Sequence, residues 1–238
     1  MSLITERPFS AVDEDNWGVP VVPAIYNFLI VSDPAAPRSG QSVAAIRYPA
    51  GFGGGDSPAF TERSLANTAG TLYVSMWIKY SSNWVGHVTG TNKILHFWVA
   101  GTNKIFAMAE GGGSAPLTPQ IGLQGIAAPY DDGHGHVATG VNLQPNLPGQ
   151  TGAQLVRGQW YRWEMVFTIN TGGGANGTAD WWINGVQVAH YTGITYVGSG
   201  QSRVFDRMRW DPTWGGLTGT VPADQYLYMD HIYMSGKP

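Results

Sequence analysis

Gln159-Trp-Tyr-Arg-Trp-Glu-Met-Val-Phe-Thr-Ile-Asn170, then a glycine-rich loop, then Ala179-Asp-Trp-Trp-Ile-Asn-Gly-Val-Gln-Val188 is the stretch whose reading decides the fold. From Tyr161 to Ile169 the odd positions Tyr161, Trp163, Met165, Phe167 and Ile169 are all apolar, while Arg162, Glu164 and Thr168 stand among the even ones. That period of two predicts a strand with one buried face. Asn184-Gly185 lies between Trp181-Trp182-Ile183 and Val186-Gln187-Val188, and this dipeptide tolerates positive φ at both central positions of a type I′ turn. A β-hairpin follows. The four glycines within Thr171–Thr178 cannot pack a core, so this segment reads as an exposed connection.

The same alternation recurs outward from this hairpin. Leu72, Val74, Met76, Ile78 and Tyr80 form one face of a strand, and Lys93–Ala100 forms another, read with His96 and Trp98 on the same face as Ile94. Weaker strand patterns cover Ala24–Val31, Ser42–Tyr48, Ile105–Ala109, Gln120–Ile126, Val137–Gln144 and Val204–Trp210. In Gln225–Ser235, Tyr226, Tyr228, Asp230, Ile232 and Met234 are read against Leu227, Met229, His231 and Tyr233. No window of eleven residues or more has a helical period, and Gly-rich turns separate the strands. The economical architecture is all-β, a two-sheet antiparallel β-sandwich. Residues 1–40, with five prolines, read as an extended N-terminal arm that docks on its own domain or on a neighbouring subunit; residues 41–238 read as one domain without a linker.

Charged residues make up only 12% of the 238, and the net charge is −3, so nucleic acid and anionic membrane are excluded as main partners. The surface polarity must come from Ser, Thr, Asn, Gln and backbone, which suits hydroxyl-rich partners. The absence of cysteine removes disulfides, thiolate metal sites and thiol nucleophiles. Apolar runs such as Val21–Val31 are broken by Pro23 and Asn27 and are too short to span a bilayer. Glu6, Pro8 and Asp13-Glu14-Asp15 are the wrong chemistry for a secretory leader in residues 1–20. The glycines of Pro49–Pro58 lack the Gly-Lys-Ser/Thr ending of a phosphate loop.

Several phrases together resemble the concanavalin A-like lectin and glucanase superfamily, in particular its polysaccharide-lyase-like jelly rolls. They are Arg47-Tyr-Pro-Ala-Gly-Phe52, Leu72-Tyr-Val-Ser-Met-Trp-Ile-Lys79, Gly158-Gln-Trp-Tyr-Arg-Trp-Glu164, Asp180-Trp-Trp-Ile-Asn-Gly185 and Tyr228-Met-Asp-His-Ile-Tyr233. The resemblance implies two curved antiparallel sheets with glycan binding or cleavage on the concave face. Alginate-lyase relatives carry a Gln-Ile/Val-His strand and a terminal Tyr-Phe-Lys-Ala-Gly strand. Ile94-Leu95-His96 keeps only the His, Met229–Tyr233 lacks Lys-Ala-Gly, and a laminarinase-type Glu-x-Asp-x-x-Glu pair is absent.

Those departures favour a non-catalytic jelly-roll surface module that binds glycan or decorates a larger assembly such as a viral capsid, located outside the cell or on a virion, with self-association or a capsid lattice made through the arm. The alternative is a polysaccharide lyase acting by β-elimination on a uronic-acid polymer, which needs a base at the C5 proton, an acid at the leaving oxygen and a partner for the sugar carboxylate. His96, Tyr73 and Arg162 are its candidates, if their strands share a face. Glycan contacts are expected from Trp77, Lys79, Trp98, Gln124, Asn142 and Gln144, because pyranose C–H faces pack on aromatic rings while amides take hydroxyls. Trp160, Trp182 and Trp210 also fit a stacking platform, although most rings in so tryptophan-rich a sandwich should fill the core. Glu164 reads as a same-face ion pair with Arg162 rather than as a glycosidase carboxylate. No cofactor is demanded. Asp131, Asp132, His134 and His136 form the one metal-like tract, suited to calcium or zinc, with Asp13, Asp15 and Asp230 as further oxygen donors, although a solvated loop explains the same residues.

Overall fold

A computed structural model of the chain describes residues 1–9, 27–39, 41–125 and 142–237. Fourteen strands and no helix occur among them. An eight-stranded sheet runs in the order β12 (Val186–Ile194), β11 (Gly177–Ile183), β10 (Tyr161–Thr168), β5 (Thr71–Tyr80), β14 (Gln225–Lys237), β3 (Val43–Tyr48) and β2 (Phe28–Val31), with β1 (Ser2–Arg7) also paired to β14. A six-stranded sheet runs β4 (Thr61–Ala69), β13 (Val204–Trp210), β6 (Thr91–Val99), β7 (Asn103–Glu110), β8 (Thr118–Gln124) and β9 (Asn142–Leu143). All named pairs are antiparallel. Within residues 1–40, β1 and β2 are thus strands of the eight-stranded sheet.

The hairpin forms as read. Trp163 pairs with Ile183 and Met165 with Trp181, and Ile183 pairs with Val186 across a turn in which Asn184 and Gly185 have φ of 51° and 81°. Trp163, Met165, Phe167 and Trp181 are fully buried and meet Leu72, Val74, Met76 and Ile78 of β5 in one core between the sheets. Trp210 and Phe205 enter that core from β13. At roughly 25 cal/mol per Å² of apolar surface removed from water, these large rings dominate what holds the two sheets together.

Two of the register shifts overturn the alternation read in β6 and β14. In β6 the pairing with β7 shifts between Lys93 and Leu95, and Ile94 and Leu95 both lie in the core. One extra residue reverses the side-chain phase, so His96 and Trp98 leave the core face that Ile94 occupies instead of sharing it. In β14 the register with β5 shifts between Met229 and Ile232. Leu227 and Met229 therefore share the core with Ile232 and Met234, while Tyr226, Tyr228, His231 and Tyr233 are only half-buried. Asp230, at this bulge, is fully buried and accepts the backbone N–H groups of Arg38 at 2.5 Å and Ser39 at 2.8 Å. β1 and β4 escaped the sequence reading, and most of Val137–Gln144 lies outside the described residues.

Candidate functional site

The outer face of the six-stranded sheet carries a polar row. Register aligns Glu62 with Arg209, Arg209 with His96, His96 with Phe106, Phe106 with Gly122, and Gly122 with Asn142. A second row runs Arg207, Trp98, Lys104, Gln124. The alternation that sends Phe97, Ile105, Ala107, Ile121, Met208 and Trp210 into the core leaves these residues on the opposite side. Beside the rows, Lys93, Phe106, Met108 and Asn142 of the sheet and the Thr213–Leu217 loop line a groove of about 480 Å³.

Gly122 makes room for one wall. A Cβ there would stand 2.0 Å from Phe106 Cε2, so the Phe106 ring lies over the glycine backbone. His96 packs edge-on between Trp98 and Phe106, with ring centroids at 5.9 and 5.7 Å. Its Nδ1 is 3.5 Å from Asp211 Oδ2. Burial holds the imidazole below its ordinary pKa, and the Asp211 carboxylate only partly offsets this. An Nδ1–H directed at Asp211 leaves the Nε2 lone pair as the basic position. Burial likewise lowers the Lys93 ammonium, helped by the like charge of Lys104 and opposed by Asp211.

Cations crowd this face. Arg209 donates to Glu62 Oε2 from Nε at 2.9 Å and from NH2 at 2.7 Å, and its NH1 lies 3.7 Å from Asp211. The Arg207 guanidinium sits 4.2 Å from the Trp98 ring centroid and Lys104 Nζ 5.3 Å from it, while Lys93 Nζ lies 4.6 Å from the Phe106 centroid. Among the described residues Lys93, Lys104, Arg207 and Arg209 thus share this side with Glu62, Asp211 and, by the alternation of β7, Glu110, and the cations outnumber the carboxylates, which suits an anionic polymer.

The structure divides the residues singled out in the sequence between two opposite faces. His96, Trp98, Gln124 and Asn142 lie on the six-stranded sheet, whereas Tyr73, Trp77, Lys79 and Arg162 lie on the outer face of the eight-stranded sheet. His96, Tyr73 and Arg162 therefore do not converge. Tyr73 instead donates to Glu164 at 2.8 Å, and Arg162 pairs with Glu164 at 2.6 Å, which is the ion pair expected from their spacing. Trp98 is 6% exposed beneath its cations, so a ligand on this face meets Arg207 before the indole. The Lys79 ammonium is held by Asp33 and caged by the Trp160 and Tyr228 rings at 5.0 and 4.7 Å. Gln144 is exposed just beyond β9. Trp210 belongs to the core, while Trp182 and Trp160 are half-buried.

Asp131, Asp132, His134 and His136, like Asp13 and Asp15, lie outside the described residues, and Asp230 spends both carboxylate oxygens on backbone N–H groups. Among the described residues no group of three or more His, Asp or Glu gathers to hold a metal ion. The sequence reading missed Lys93, Lys104, Arg207, Arg209 and Phe106. The alternation Arg207-Met208-Arg209-Trp210 was legible as a strand, and its outward charges were the signal to follow.

The fold is that of the concanavalin A-like jelly rolls, as the resemblance implied. Among solved structures the chain is similar to the marine PL-14 alginate lyase from Aplysia kurodai, at 12% identity over 100% of both chains with a TM-score of 0.69. It is also similar to the endo-beta-1,4-glucuronan lyase from the fungus Trichoderma reesei, at 11% identity over 99% of this chain and 96% of that one, TM-score 0.66. A third is an alginate lyase mutant in complex with alginate trisaccharide, at 14% identity over 84% and 83%, TM-score 0.64. Neither a protein-family model nor a curated protein sequence matches the chain. At such identities the likeness establishes the fold alone.

Proposed function

We propose that the chain is a polysaccharide lyase that binds a uronic-acid polymer along the outer face of the six-stranded sheet and cleaves it by β-elimination. The observation that carries this reading is the row in which His96, backed by Asp211, stands between Arg209 and Phe106 beside a groove that contains Lys93. Arg207 and Arg209 supply positive charge for the uronate carboxylate, which withdraws electron density from C5. His96, kept neutral by burial, takes the C5 proton at Nε2. The C4–O bond breaks as a C4=C5 double bond forms, and the Lys93 ammonium, made more acidic by its surroundings, gives its proton to the leaving oxygen. The solved jelly rolls that act on alginate and glucuronan support this assignment by their fold.

A second reading, the non-catalytic binding module, is favoured by two observations. Among the described residues no tyrosine hydroxyl stands in the His96 row, and Arg209 already spends two donors on Glu62. Mass analysis after incubation with alginate and with glucuronan separates the two. Fragments that lack the water hydrolysis adds support the lyase. Retention of the protein on the polymer at low salt without any fragments supports the binding module, and neither retention nor fragments overturns both.

A further inference from the structure

The outer face of the eight-stranded sheet holds a separate depression of about 210 Å³. At the ~30 Å³ a water occupies in the liquid, that is room for about seven waters, the scale of one sugar ring rather than of a polymer groove. Its construction follows from the register. Ser75, small and half-buried, pairs with Glu164 on one side and Tyr233 on the other, while Tyr73 and Trp77 stand two residues away on the same face of β5. The Tyr73 and Tyr233 rings meet at 6.0 Å and 66°. These three rings are half-buried on a sheet face that no other described layer covers.

The polar groups there are oriented and nearly balanced in charge. Glu164, outside the lining, fixes two lining residues by accepting from Tyr73 and from Arg162, and His231 Nε2 meets Glu6 Oε1 at 2.7 Å. Arg38 adds an exposed guanidinium at the rim. Glu6, the carboxylate in the lining, meets His231 through one oxygen and keeps acceptor capacity for hydroxyls, and the flanking rings offer apolar faces to pyranose C–H groups. This differs from the cation-rich face of the other sheet, where the charge excess selects polyanions.

We propose that this depression is a second glycan-binding site, independent of the groove beside His96, that takes one residue of a neutral hexose polymer. It would let the protein hold a neutral glycan on one sheet while the other engages a uronate polymer. The probes are the β-1,4-linked glucose hexamer, the β-1,3-linked glucose hexamer and the β-1,4-linked mannose hexamer, titrated by nuclear magnetic resonance into the wild-type protein and into Trp77→Ala, Trp77→Phe, Tyr233→Ala and His96→Ala, each first checked for native unfolding behaviour. The expected result is binding of at least one hexamer that weakens at least tenfold in Trp77→Ala and Tyr233→Ala, survives within a few-fold in Trp77→Phe, and is unchanged in His96→Ala and by added salt. The proposal fails if none of the hexamers binds, if binding is indifferent to Trp77→Ala, if His96→Ala abolishes it, or if sedimentation shows the face occupied by a second copy whose dimer Trp77→Ala dissociates.

Discussion

His96 Nδ1 lies 3.5 Å from Asp211 Oδ2, and the carboxylate that orients this ring follows directly on the strand, β13, that pairs with its own. Asp211→Asn removes the charge but keeps an acceptor, so the ring stays in place while its basicity falls further. The expected outcome is a lyase rate reduced by about 10- to 100-fold with little change in KM, measured by steady-state kinetics on a polyuronate.

The two lowered pKa values predict a bell-shaped dependence of kcat/KM on pH. The acid limb should fall below the ordinary histidine value of 6.5, because His96 stays a free base to lower pH than an exposed imidazole. The alkaline limb should begin below the ordinary lysine value of 10.5, as the Lys93 ammonium loses its proton. Lys93→Arg should push the alkaline limb beyond the measurable range at reduced rate.

The same histidine links pH to folding. Because the folded state binds the His96 proton more weakly than the unfolded chain does, the unfolded state gains protons first as pH drops through 6.5, and stability falls there. His96→Gln should flatten this part of the unfolding free energy against pH, measured by denaturant titration.

Gly122 and Phe106 are a spatial pair. Gly122→Ala forces the ring aside, an overpacking that should cost about 1–3 kcal/mol in denaturant unfolding and should raise KM for the polymer. Phe106→Leu in the same molecule should restore most of the stability, because the clash partner is then gone; a double-mutant cycle reads the coupling.

His87 pins the loops beside the groove. It is fully buried, its Nδ1 accepts from Thr89 N–H at 3.1 Å, and its Nε2 meets the Thr218 carbonyl at 2.5 Å. A Cβ on Gly216 would stand 2.2 Å from His87 Cε1, so the loop closes tightly over the ring. His87→Ala leaves a void and unpaired polar groups, and should lower the unfolding free energy by about 2–4 kcal/mol and weaken polymer binding through the Thr213–Leu217 wall.

Local chemistry explains what was readable in the chain. Asn184-Gly185 specified a turn from two residues, and the alternation of Leu72–Tyr80 and Tyr161–Phe167 specified buried faces without reference to any partner. The bulges at Ile94 and at Asp230-His231 were not readable. A single extra residue flips the phase of all that follows, and only the partner strand reveals which residue is extra. The site was still less legible. Its central row joins Glu62, His96, Phe106, Gly122 and Arg209, which meet only through the register of five strands. His96 was found because its type drew notice, whereas Arg209 and Lys93 acquire meaning only beside it.

The most direct test of the central claim is the initial rate of ultraviolet absorbance gained from the C4=C5 double bond when the protein meets alginate and glucuronan. The account predicts a rise with at least one polymer, reduced about 10²- to 10⁴-fold in His96→Ala and retained in Trp77→Ala. No rise with either polymer, or an undiminished rise in His96→Ala, would contradict it.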